Sequence, residues 1–153
     1  MMHIRMALPV LALSLLASLP AAGAAQDELA AHRATWQAAQ VQRYSYGYRK
    51  FCECHRDAPP ETVVTVDGGS ISRVYHRHDD SEREVPAREG STDLYWTIDD
   101  LFDLIASAMA REAEVRVNYD AALGYPTSLY IDYDAGYVGD ELDIRLTGLD
   151  VLD

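Results

Sequence analysis

The sequence predicts an α+β domain: an antiparallel sheet of about six strands with two helices packed on one face, in the order α-βββ-α-βββ. Three observations carry this. Two segments repeat apolar residues at helical spacing, and the others alternate apolar and polar residues at the two-residue period of a half-buried strand. The connections are short and built on Gly, Asp and Pro, which suits antiparallel neighbours.

Residues 1–25 read as a secretory signal peptide. Arg5 lies in a basic start, the uncharged run Ala7 to Pro20 is shorter than the ~20 residues of a membrane-spanning helix, and Ala22 and Ala24 make an A-x-A cleavage site. Cleavage after Ala24 or Ala25 leaves residues 26–153, enough for one α+β domain and too few for two. No cysteine follows the apolar run to receive a lipid, so the expectation is a periplasmic or secreted protein with no stable membrane anchor after signal cleavage.

Asp27 to Arg43 predicts the first helix, with Leu29, Trp36 and Ala39 on one face and Asp27 and Glu28 at the positive end of its dipole. Tyr44, Tyr46 and Tyr48 alternate with small or polar residues in a strand continuing through Phe51-Cys52-Glu53-Cys54. Pro59-Pro60 interrupts, and the β-branched run Thr62 to Val66 comes next. Asp67-Gly68-Gly69 supplies the positive φ angles of a hairpin turn, returning the chain as Ser70 to His76. His78 to Ser91 lacks periodicity and reads as a loop. Thr97 opens the second helix with Asp100 as its capping-box partner, and Ile98, Leu101, Phe102, Ile105 and Met109 form its apolar stripe. Val115 to Tyr119, Leu129 to Tyr133 and Leu142 to Leu146 alternate as the last three strands, joined at Gly124-Tyr125-Pro126 and Gly136 to Gly139.

The formal charge of −12 argues against nucleic acid and anionic lipid, whose phosphates such a surface repels. A protein partner or a cation is compatible with it. Two cysteines in an oxidising compartment favour a disulfide between Cys52 and Cys54, although residues two apart on a flat strand sit near ~7 Å and need a bend at Glu53 to be bridged. The alternative is a copper or zinc site of Cys52, Cys54 and His55, completed by His76 or His78, since thiolate and imidazole suit these metals. A thiol-disulfide active pair is the third reading, without the βαβ pattern that accompanies such catalysts. Asp132-x-Asp134-x-Gly136 with Asp143 imitates a calcium loop but lacks glycine at its sixth place and glutamate at its twelfth. No nucleophile elbow or phosphate-binding glycine loop occurs.

Trp36, Tyr44-x-Tyr46, Cys52-x-Cys54, Val64-x-Val66-x-Gly68, Thr97-Ile98-x-x-Leu101-Phe102-x-x-Ile105, Tyr119-Asp120 and Gly124-Tyr125-Pro126 succeed one another in an order that resembles domain-of-unknown-function family 6174. These are small exported bacterial proteins with no assigned activity, many of which look like lipoproteins. The resemblance implies a fold and an exported location and brings no catalytic residue. The expectation from the sequence is therefore a non-enzymatic binding or structural domain of the cell envelope, with no cofactor.

Overall fold

The computed structural model describes residues 21–51, 61–77, 84–86 and 94–153. Helix α1 covers Ala21–Ala38, and strands β1 (Arg43–Phe51), β2 (Glu61–Asp67), β3 (Ser70–Arg77) and β4 (Glu84–Pro86) come after it. Helix α2 (Ile98–Ala110) separates these from β5 (Glu114–Tyr119), β6 (Pro126–Asp132) and β7 (Leu142–Val151). All pairings are antiparallel, and the spatial order is β4-β3-β2-β1-β7-β6-β5. The first four strands thus step outward from the centre. Helix α2 then carries the chain across to the far edge, and the last three strands step back until β7 lies beside β1. No helix among the described residues is long and apolar enough to cross a membrane.

The α+β architecture matches the sequence expectation, with differences at element ends that have local causes. Helix α1 begins at Ala21 rather than Asp27, because Ala21, Ala22, Ala24 and Ala25 are strong helix formers that join without a break onto residues 26–38. It ends at Ala38 rather than Arg43, since Gln40 takes a positive φ of 51° and turns the chain into β1. The loop expected over His78 to Ser91 contains the three-residue strand β4, which pairs with the end of β3 as a short edge. At the hairpin, Asp67 pairs with Ser70, so the two loop residues are Gly68 and Gly69, with φ of 56° and 78°. A right-twisted two-residue turn needs two such angles.

One sheet face carries the core. Tyr44, Tyr46 and Tyr48 of β1 lie opposite Val66, Val64 and Thr62 of β2, all buried. Leu129, Ile131, Ile144 and Leu146 extend this apolar surface across β6 and β7. Helix α2 covers it with Ile98, Leu101, Phe102, Ile105 and Ala108, while Met109 packs partly buried at the margin. Helix α1 adds Leu29 and Trp36, the indole meeting Tyr44 edge-on at 5.3 Å and Tyr125 at 6.3 Å. Arg33 of α1 also bonds Asp103 of α2 at 2.6 Å.

Two local devices fix the helices on the sheet. The Thr97 hydroxyl accepts from the Asp100 backbone N–H at 3.1 Å, and the Asp100 carboxylate accepts from the Thr97 N–H at 3.0 Å, completing the capping box. At the β5–β6 turn, Asp120 Oδ1 accepts from the N–H groups of Ala122 and Leu123, and Gly124 takes φ 77° beneath α1. A Cβ at Gly124 would stand 2.5 Å from the His32 carbonyl oxygen, so only glycine lets the turn approach the helix backbone.

Gly124→Ala combines that clash with the unfavourable φ and is expected to cost about 2–3 kcal/mol, read as a lowered urea midpoint. Thr97→Ala removes the cap alone and is expected to cost about 1 kcal/mol in the same assay. Burial also raises the tyrosine pKa values, that of Tyr119 from 10.0 to about 12. Ionisation of these phenols favours the unfolded chain, so stability is complete below pH 10 and falls as pH rises from 10 towards 12. Thermal melts stepped across that range check this, and a flat profile would contradict it.

Candidate functional site

The central strand presents three tyrosines on its buried face, and they meet the chain entering α2. Tyr44 Oη accepts a 2.9 Å hydrogen bond from the Ile98 N–H, one of the helix N-terminal donors that lack a partner within the helix. Tyr46 Oη donates to the Trp96 carbonyl. The third, Tyr48, packs its ring edge-on against Tyr95 at 5.2 Å and tilted against Trp96 at 6.2 Å. Its hydroxyl has no hydrogen-bond partner among the described residues, although only 4% of the residue is exposed. A buried hydroxyl left in that state costs about 1–3 kcal/mol, so it calls for a partner.

A cleft of about 280 Å³ opens at Tyr48. Tyr48, Thr62 and His76 contribute to it from three adjacent strands, being cross-strand partners in register. Leu94 and Tyr95 line it from the segment before α2, and Arg49 and Lys50 from the end of β1. Helix α2 starts at Ile98, and among the described residues the segment 94–97 before it borders the cleft beyond Tyr46. Thr62 Oγ1 and His76 Nδ1 are bonded to one another at 3.0 Å. Lys50 Nζ sits 5.9 Å from the centre of the Trp96 ring. The described lining thus holds two permanent cations and no carboxylate, on a chain with 25 acidic and 13 basic residues.

Burial drives the pKa values of Tyr44, Tyr46 and Tyr48 well above the ordinary 10.0. Tyr48 is therefore a neutral phenol at physiological pH, able to donate or accept one hydrogen bond but not to act as a phenolate.

Of the five residues proposed from the sequence as metal ligands, the structure places His76 in this cleft. Cys52, Cys54, His55 and His78 lie outside the described residues. Among the described residues no group of three His, Cys, Asp or Glu side chains is arranged to hold a metal ion. The calcium-like loop is explained by turn chemistry: Asp132 Oδ1 accepts from the Asp134 N–H and Asp134 Oδ1 from the Gly136 N–H. Asp143 instead faces Arg145 at 3.7 Å. The sequence sets Tyr44, Tyr46 and Tyr48 at alternate positions of one strand. Their common parity was visible, but only the length of the α2 lead-in decides which hydroxyls find partners.

The helix-free sheet face offers a second concavity, a polar trough along β5, β6 and β7 lined by Arg116, Asn118, Ser128, Tyr130, Asp143 and Arg145. Its groups are already engaged with one another. Arg116 covers the Tyr130 ring at 4.2 Å and pairs with Glu114, Arg145 covers Phe51 at 4.9 Å, and Asn118 donates to Ser128 at 2.7 Å. A surface with its donors and rings mutually satisfied has less to offer a ligand than the cleft at Tyr48.

No curated protein and no solved structure matches the chain. The sequence pattern of DUF6174, described as a family of unknown function, matches residues 28–151, from within α1 to the end of β7. This chain belongs to that family.

Proposed function

We propose that this protein is an exported, non-enzymatic binding domain of the cell envelope that holds a small molecule in the cleft between Tyr48 and Tyr95. The observation that carries the proposal is the buried Tyr48 hydroxyl without a partner among the described residues. A ligand atom in the cleft supplies the missing hydrogen bond and recovers the desolvation cost. The cleft volume, about 280 Å³, is near the lower end of small-molecule sites, roughly 300 Å³. Binding is favoured over catalysis because Tyr48 is held neutral and Thr62 and His76 are bonded to each other. The signal-like pattern of residues 1–25 supports the location.

A second reading, copper or zinc bound by Cys52, Cys54 and His55 with His76 or His78, is favoured by the imidazole of His76 in the cleft lining. Native mass spectrometry of the exported protein, prepared without reductant or chelator, separates the two. The binding reading expects a metal-free chain with Cys52 and Cys54 oxidised to a disulfide. A stoichiometric copper or zinc adduct on reduced thiols, lost in C52S, would replace it with metal handling.

The cleft itself is tested by Tyr48→Phe. Removing an unsatisfied buried hydroxyl at constant ring packing is expected to raise stability by about 1 kcal/mol in urea unfolding, while lowering affinity for any ligand of the cleft. A variant less stable than the parent would mean that the hydroxyl already has a partner, and the proposal would lose its basis.

A further inference from the structure

We propose that the ligand of the Tyr48 cleft is a small organic anion, an apolar ring or chain bearing one carboxylate or similar acidic group. This deepens the binding reading above and rests on it. Two features of the lining define the ligand. The first is apolar: Tyr48, Tyr95 and Leu94 present two aromatic rings and an aliphatic side chain, and Leu94 is 67% exposed, an apolar surface left in water beside the opening. Such surface selects a hydrophobic body of about one ring.

The second feature is charge. Lys50 and Arg49 lie at the cleft and no described lining residue is acidic. Acidic residues outnumber basic ones about two to one over the whole chain, so a described lining with cations and no carboxylate is a local reversal. The Lys50 ammonium is near the Trp96 ring and Lys50 is exposed, and among the described residues of the cleft no carboxylate neutralises its charge. A neutral ligand would leave this cation unused, and a cationic ligand would be repelled by it. The buried phenol adds direction. Kept protonated, Tyr48 can donate its one hydrogen to an oxygen of the ligand, and a bond from a neutral donor to an anionic acceptor is the stronger kind.

The test is a titration of the mature protein, monitored by amide chemical shifts of residues on β1, β2 and the segment 94–96, with benzoate, its neutral isostere benzamide, and acetate, which has the charge without the ring. Benzoate is expected to bind about two- to fivefold more tightly than benzamide, the worth of one exposed unit-charge contact. It should also bind more tightly than acetate, and added salt should weaken benzoate while leaving benzamide unchanged. Lys50→Gln, a change at an exposed position, is expected to reduce the preference for benzoate over benzamide. Benzamide binding as tightly as benzoate would overturn the anion inference and leave the cleft reading standing. No shift of those amides with either ring compound at about 10 mM, where a ring-sized fragment registers, would overturn both.

Discussion

The structure depends on the pairing of β1 with β7. These strands come from opposite ends of the chain, yet they are neighbours at the centre of the sheet, matched from Tyr44 opposite Val151 to Phe51 opposite Asp143. Without that seam the molecule would be two separate sheets, β1–β4 and β5–β7, each with an open edge where the other now pairs. A bulge between Ser45 and Gly47 lets the long strands twist together, and the Leu152 N–H closes the end of the seam on the Arg43 carbonyl at 2.9 Å. Joining residues so far apart costs loop entropy before any contact is gained, which makes this a non-local and intrinsically slow pairing to form.

The central place of β1 explains the tyrosine row. A strand flanked on both sides is the most deeply covered line of the sheet, so its inward side chains must be large enough to fill the layer beneath the helices and must satisfy any polar atom they bring. Tyr44 and Tyr46 meet both demands: their rings fill the core, and their hydroxyls tie down the chain at Trp96 and Ile98. Tyr48 meets only the first. The same side chain at the same parity thus has a structural role at two positions and, at the third, a buried polar group without a partner among the described residues. Breaking a local rule while the rest of the element obeys it is what functional positions characteristically do.

How much of this was legible in the sequence depended on the range of the interaction concerned. The Thr97–Asp100 box, the stripe Ile98 to Ile105 and the glycine turn after Asp67 are decided within a few residues, and each stands where local pattern places it. Helix α1 departs from expectation at both ends because alanine continues a helix without announcing a start, and because Gln40 in a left-handed conformation is a tertiary choice. Strand β4 carries no periodic signal in three residues, and exists as a strand only by pairing with β3. The cleft was illegible for the same reason. Lys50, Thr62, His76 and Tyr95 converge through strand register and the path into α2, and no local pattern connects them.

Net charge was the weakest guide to the site, and the physical reason is one of distance. Over the whole chain −12 implies repulsion of anions, and that field does slow their approach. At physiological ionic strength, however, a charge is screened over about 8 Å, so a bound ligand is governed by the groups that line its site. At Tyr48 those groups are Lys50 and Arg49, with no carboxylate among the described lining. An acidic surface around a cationic cleft is then no contradiction. On the proposed reading, polyanions such as nucleic acid and lipid sheets would have to meet many acids at once, while a small anion need meet only the cleft. Under the proposed anion binding, excluding large polyanions while admitting small ones is the selectivity that this distribution of charge would give.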